Sequence, residues 1–319
     1  MATSRTRHLG FGCASSYHQH RPPFPAHVFR RIIEAAGRKS PHNSLCVLDI
    51  GSGTGRAALE LARRGANVVA VDKDPAMLQV LSAAASSSGL GSGKVQTIVG
   101  RAESLDMLEA GSIDVVTCFD TFHWLERGSA LSEISRVLRP RGVLAVAWND
   151  LCLLNEVQAL YRVPRPNDKR WHGALTSSGL FKPIAGCPQP ERIRHIFNLP
   201  RDDLAALCAT YDFGDLRPRP WTDEAAAMGL SGGGHAKGSL EGADGGNDGA
   251  RRERSPADVL AAAILRLGGG GSAGSGESTT TPVTLEYETK LYLTELVSER
   301  ARRRNCAAWA RRPLARTSK

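Results

Sequence analysis

Val47-Leu48-Asp49-Ile50-Gly51-Ser52-Gly53-Thr54-Gly55 begins as an apolar strand and passes into a turn with glycine at every second position, and Arg56 to Arg64 behind it has the composition of a helix. Glycine lets backbone amides come closer to a ligand than any side chain would allow. The helix start that follows presents unpaired N–H groups and the positive end of a helix dipole, which suits a carboxylate. Seventeen residues after Gly55, the next apolar run closes on Asp72, whose carboxylate can accept both hydroxyls of a ribose. A nucleoside lying across the carboxyl ends of parallel strands is the ligand this arrangement serves.

A dinucleotide asks for G-x-G-x-x-G, in which the third glycine permits close packing of helix on strand. Here Arg56 holds that place, and the spacing is D-x-G-x-G-x-G with Asp49 two residues before the first glycine. An acid at that point can meet an ammonium directly or through water, a role with no purpose beside a pyrophosphate. The expected ligand is therefore an adenosyl sulfonium, S-adenosyl-L-methionine, rather than a nicotinamide dinucleotide. The plainer alternative is a glycine-rich turn that serves topology alone.

Outward from this turn, short apolar runs alternate with helix-like segments, the pattern of parallel βαβ units. Strands are expected at Cys46–Ile50, Asn67–Val71, Val95–Val99, Ile113–Cys118 and Val143–Trp148, apolar without alternation as strands covered on both faces should be. Asp74-Pro75 supplies a cap and a first-turn proline for a helix whose stripe is Met77, Leu78 and Leu81. A second helix is expected from about Ser129 to Leu138, stopped by the turn Arg139-Pro140-Arg141-Gly142.

These residues resemble a class I S-adenosylmethionine-dependent methyltransferase, within it the small-molecule branch that includes trans-aconitate methyltransferase-like proteins. Three further segments carry the likeness. Phe11 to Phe29 contains Ala14, Tyr17, Arg21, Pro22, Phe24 and Pro25, similar to the branch's F-x-x-x-A-x-x-Y-x-x-x-R-P-x-Y-P pattern; Ala102-Glu103-Ser104-Leu105 follows the third strand like the family's A-E-x-L; Phe119-Asp120-Thr121-Phe122-His123-Trp124 follows the fourth, where relatives show F-H-W. The resemblance implies a doubly wound α/β fold with a mostly parallel seven-stranded sheet. It also implies a cofactor site made of Asp49, Gly51, Ser52, Gly53, Thr54, Gly55, Asp72, Ala102, Glu103, Phe119 and Asp120. Two departures stand out: Arg101 precedes the A-E pair where relatives carry an acid or small residue, and Asp120 replaces a small or amide residue.

Methyl transfer from a sulfonium is an in-line displacement, so alignment and exclusion of water are the protein's tasks and neither a metal nor a covalent intermediate is needed. A hydroxyl or amine acceptor gains from a base, for which His123 is the candidate; the alternative makes it a wall between Phe122 and Trp124. A carboxylate acceptor is already ionised and needs a cation, for which Arg21 is the candidate; the alternative is a surface arginine. Tyr17 and Trp124 complete the substrate-side set, Tyr17 on a lid or in packing alone. The acceptor expected is an oxygen of a carboxylic acid or similar metabolite.

The rest of the chain is organised around that core, with 1–40 an N-terminal lid segment, 41–150 the binding core, 151–298 the remainder of the same domain and 299–319 a basic tail. Stretches near 229–255 and 268–282 are too rich in Gly and Ser to offset their ordering entropy by burial and read as flexible insertions. Between them Ala257–Leu267 has helical composition, and 283–293 alternates as an edge strand would. The net charge of +9 sits at the ends, since residues 41–150 hold ten Lys/Arg against twelve Asp/Glu while 299–319 hold eight against one. Nucleic acid is thus not the expected partner; deleting 299–319 would separate an RNA or protein methyltransferase from a small-molecule enzyme. A third reading is a relative that binds the cofactor without turnover. Seven cysteines without a C-x-x-C pair argue against a disulfide framework or a zinc site, and no apolar run is long enough to span a membrane, so a cytoplasmic protein is expected, with a faint organelle-targeting signal in Arg5, Arg7 and the serines near them.

Overall fold

The computed structural model describes residues 14–37, 44–90, 93–152, 175–187, 189–210, 261, 264–265 and 282–297. The chain divides into two compact units: one comprises Arg21–Asp150, Arg165–His195 and Tyr287–Lys319, the other Met1–His20, Leu151–Pro164 and Ile196–Glu286. His20 falls in the second of these units and Arg21 in the first. The Gly-rich insertions and the basic tail lie outside the described residues, as does most of Ala257–Leu267, of which Ala261, Ile264 and Leu265 are helical.

The larger unit holds most of a sheet. The strands are β1 (Cys46–Ile50), β2 (Asn67–Asp72), β3 (Lys94–Val99), β4 (Ile113–Phe119), β5 (Leu138–Leu151), β6 (Phe181–Pro183), β7 (Glu191–Leu199) and β8 (Val283–Leu296), of which Leu151, 196–199 and 283–286 are assigned to the smaller unit, and their order is β3-β2-β1-β4-β5-β8-β6 with β7 paired to β8. The pairs among the first five are parallel, and β6 runs antiparallel to β8. The sheet has eight strands where seven were expected. Strand order reverses between β1 and β4, and that reversal opens the crevice at the carboxyl ends in which such sheets bind ligands.

Successive residues feed opposite faces, as the two-residue period of a strand requires. Val47, Val115, Val143 and Ala145 pack with helices α2 (Ala26–Gly37), α3 (Arg56–Arg63) and α4 (Pro75–Ser87), whereas Leu48, Val116, Leu144 and Val146 pack with α5 (Arg127–Val137). Each fully buried side chain of this kind contributes roughly 1.5–3 kcal/mol. The α4 start follows the sequence reading, with Asp74 Oδ1 accepting the Ala76 N–H at 2.9 Å and Pro75 in the first turn.

Three expectations need correction. Helix α5 starts at Arg127, two residues before Ser129, because the Glu126 carboxylate caps it by accepting the N–H groups of Gly128 (3.1 Å) and Ser129 (2.8 Å). The Arg139-Pro140-Arg141-Gly142 turn is an excursion inside β5: Ile113 pairs with Leu138 and Val115 with Val143, with Arg141 at φ 64° in the gap. An ion pair between Arg139 and Asp114 holds it in place. Finally β8 is an interior strand, flanked by β5 and β6, and Tyr287, Leu291, Tyr292 and Leu293 are buried.

The smaller unit contains α1 (Ala14–His20), a 3-10 turn at Arg201–Asp203 and α6 (Leu204–Ala209). His20 lies 3.8 Å from Asp203 and Leu204, Leu207 and Cys208 are buried. Among the described residues no helix is long and apolar enough to cross a membrane, and no group of three or more His, Cys, Asp or Glu is placed to hold a metal ion.

Candidate active site

At the end of β1 the backbone takes three left-handed steps, at Gly51 (φ +63°), Gly53 (φ +54°) and Gly55 (φ +85°), a conformation that costs a side-chain-bearing residue roughly 1–2 kcal/mol. Close approach adds to the need at two of them. A Cβ on Gly51 would stand 2.1 Å from Thr121 Cγ2 and one on Gly55 2.0 Å from Leu81 Cδ1, but one on Gly53 would meet nothing within 4 Å. Gly53 therefore borders open space, and its glycine serves backbone conformation and ligand approach alone.

Asp72, at the end of β2, grips this turn. Its Oδ2 accepts the Gly53 N–H at 2.8 Å and its Oδ1 accepts the Asp74 N–H at 2.9 Å. Each carboxylate oxygen keeps a lone pair for a ribose hydroxyl. Burial raises its pKa, opposed by those two amides.

Asp49 is 1% exposed and stands in register with Thr117 of β4. Its Oδ1 accepts the Thr117 hydroxyl at 2.6 Å, whereas its Oδ2, Ser52 Oγ and Thr54 Oγ1 are buried without a hydrogen-bond partner among the described residues. Burial pushes the Asp49 carboxyl up to about 7, with Thr117 pulling the other way. Unmet buried polar groups cost about 1–3 kcal/mol each, so one acceptor and two hydroxyls gathered at a glycine turn point to a ligand that satisfies them. An ammonium suits the acid and a carboxylate suits the hydroxyls.

Beyond β4 the backbone of Asp120 is itself left-handed (φ 51°), and its carboxylate Oδ1 accepts the Asn149 N–H from the end of β5 at 3.0 Å. Burial raises Asp120 to about 6, against the positive charges of Arg21 and Arg56 and the Asn149 amide. Arg21 thus belongs to the same electrostatic cluster as Asp120. Thr121, which the sequence reading passed over, donates from Oγ1 toward the carbonyls of Phe119 (2.9 Å) and Gly51 (3.1 Å), tying the β4 exit to the glycine turn.

Other expected residues fall elsewhere. The Phe119 ring packs 4.7 Å from Phe24 and 6.0 Å from Phe29 in the core, so only its carbonyl faces the turn's network. Ala102 is buried, and Glu103 accepts the Glu126 N–H at 2.9 Å and pairs with Arg101 at 3.3 Å. The departure at Arg101 is thereby answered by its neighbour. Tyr17 is half-buried on α1, in the smaller unit, whereas every other expected site residue belongs to the larger one.

The Trp148 indole N–H donates to His123 Nδ1 at 3.2 Å. Indole nitrogen can only donate, so Nδ1 is the acceptor and the proton of the neutral ring sits on Nε2. With its one lone pair engaged, His123 is suited to be a wall rather than a base. The Trp124 ring lies tilted beside it, with centroids 4.9 Å apart, and is 46% exposed.

Residues 48–146 match the family described as Methyltransferase domain. An uncharacterized methyltransferase of Mycobacterium tuberculosis is 37% identical over 146 residues, 46% of this chain and 54% of that protein. One from Schizosaccharomyces pombe is 32% identical over 136 residues, 42% of this chain and 50% of that protein. The chain spans about half the length of the curated relatives it matches. The solved structure of a putative type II methyltransferase from Anaeromyxobacter dehalogenans superposes with a TM-score of 0.54 at 20% identity, covering 88% of this chain and 99% of that one, a likeness of fold. The class I methyltransferase resemblance holds for the core.

Proposed function

We propose, taking residues 48–146 as a methyltransferase domain, that the chain is an S-adenosylmethionine-dependent methyltransferase acting on an oxygen of a small-molecule acceptor. The observation that carries the reading is the set of unmet polar atoms on Asp49, Ser52 and Thr54 around a glycine turn open at Gly53. These groups fit the cofactor: Asp49 would take its ammonium, Ser52 and Thr54 its carboxylate, and Asp72 its ribose. The bound cofactor supplies a methyl carbon activated by a positive sulfur. Nearly everything else is alignment and exclusion of water by the chain's own residues.

Asp49 must be ionised to hold a cation, and the approaching ammonium lowers a carboxyl that burial has lifted. Asp120, at the expected methionine end, adds negative charge there, and Arg21 and Arg56 limit it. The acceptor expected from the sequence resemblance is a carboxylic acid or similar metabolite.

Calorimetric titration with S-adenosylmethionine tests the reading, with micromolar binding expected. A purified protein that takes up no cofactor, or that releases no S-adenosylhomocysteine with any member of a metabolite extract, overturns it.

A further inference from the structure

At the carboxyl end of β5 one residue belongs to two networks. The backbone N–H of Asn149 donates to Asp120, and its side-chain Oδ1 lies 2.9 Å from His195 Nε2 and accepts the Thr289 hydroxyl at 3.0 Å. Asn149 is 7% exposed and Thr289 fully buried. The side-chain Nδ2 of Asn149 faces the Pro23 carbonyl at 3.5 Å, and a carbonyl only accepts, so the amide's nitrogen end points there and its oxygen end toward His195.

An amide oxygen also only accepts. His195 Nε2 must therefore carry the proton, which leaves the lone pair of the neutral ring on Nδ1. Among the described residues nothing hydrogen-bonds to that Nδ1. The ring plane is set by Tyr287, stacked at 5.7 Å, and by Thr289 Oγ1 at 3.2 Å from Nε2. Burial keeps this imidazole below its ordinary value, so it is neutral near pH 7. A base whose second nitrogen is anchored by a neutral acceptor is the arrangement that proton abstraction needs, and it is the reverse of the one at His123.

Charge decides which acceptor fits. A carboxylate would need a cation, yet Lys290 is paired with Asp150 at 2.9 Å and the charge of Arg21 is set against Asp120. Arg192 and Arg194, on β7 beside His195, face Glu288. Asp120 reaches the imidazole only through Asn149. A hydroxyl, by contrast, needs a neutral base, and Asn149 at the carboxyl end of β5 joins such a base to Asp120.

Resting on the function proposed above, we infer that His195 Nδ1 is the base that receives the proton of the methyl acceptor, that Asn149 positions it, and that the acceptor is a weakly acidic hydroxyl such as a phenol or enol. The acceptor oxygen forms its bond to the methyl carbon as the carbon–sulfur bond breaks, the bonding pair stays on sulfur, and the hydroxyl proton passes to Nδ1 and then to water. Loss of such a base lowers turnover on the order of 10²-fold or more.

The test compares the wild-type chain with His195→Gln, whose amide can still donate to Asn149, and with Asn149→Ala. Cofactor binding by calorimetry is expected to be the same in wild type and His195→Gln. Release of S-adenosylhomocysteine with a panel of phenols and enols is expected to fall about 100-fold in His195→Gln near neutral pH. Nitrogen-15 NMR of the imidazole, which needs no turnover, is expected to show a single Nε2–H tautomer in wild type and a mixture in Asn149→Ala. Undiminished turnover in His195→Gln, methylation confined to carboxylic acids, no methylation of any hydroxyl, or a protonated Nδ1 in the neutral ring each overturns the inference. Failure of the wild type to bind S-adenosylmethionine is read separately in the calorimeter and removes the proposed function, and this inference with it.

Discussion

Thr117 Oγ1 donates to Asp49 Oδ1 at 2.6 Å across a pair of strands in which the two residues are direct register partners. The second oxygen of the same carboxylate has no partner among the described residues. One oxygen of the carboxyl is held by the fold and the other is buried without a partner among the described residues, and the first three predictions follow from the site proposed around it.

Asp49 should trade stability for binding. The folded chain holds its proton more tightly than an unfolded chain does, with a pKa raised from 3.8 to about 7. Its contribution to stability is therefore complete below the unfolded value and is lost as pH rises through about 7. Asp49→Asn removes this loss, worth at most ~4 kcal/mol, and should raise the Tm of the ligand-free protein at pH 8. The same substitution should weaken S-adenosylmethionine binding by about 10- to 100-fold in calorimetry, the worth of a hydrogen bond to a charged group.

Thr117→Val removes the hydroxyl that favours the ionised carboxylate, so Asp49 should titrate higher still. The expected readout is a shift of the pH midpoint of cofactor binding to higher pH, with affinity at pH 9 much less affected. An unchanged midpoint would mean that Thr117 only packs.

The three glycines of the turn should separate by cause. Gly51→Ala and Gly55→Ala combine a positive φ with contacts near 2 Å and should cost about 3 kcal/mol or more in denaturant unfolding. Gly53→Ala meets open space and should cost only roughly 1–2 kcal/mol, the penalty of the left-handed backbone. Its larger effect is expected on cofactor affinity, because the added methyl points where the ligand approaches.

His123→Ala should lower turnover by less than about tenfold, below the range of a lost general base. Trp148→Phe frees His123 Nδ1 and leaves the indole's edge contacts with Phe122 and Tyr292 to a smaller ring. A loss of 100-fold or more in His123→Ala would return that residue to the role of base.

The parts of the site that could be read from sequence are those written in consecutive residues. The apolar runs around Asp49 and Asp72, the glycine spacing and the Asp74-Pro75 cap all carry a local signal, and the structure places each as expected. What could not be read depends on register and on residues far apart in the chain. Thr117 becomes a partner of Asp49 only because β4 lies beside β1, and Asn149, His195 and Thr289 meet from three strands. The aromatic run at 119–124 gave residue types without directions: Phe119 turns into the core and His123 is held by Trp148. For β8, partial alternation suggested an edge, yet its later residues are buried throughout because β5 and β6 flank it.

Asn149 lends its main chain to Asp120 and its side chain to His195 and Thr289. A main-chain N–H survives every replacement except proline, so the brace on Asp120 is indifferent to what residue stands at 149, whereas the side-chain hydrogen bond to the imidazole requires the asparagine. Drift at this single position therefore changes what holds the imidazole of His195 while the contact to Asp120 passes unaltered to its descendants.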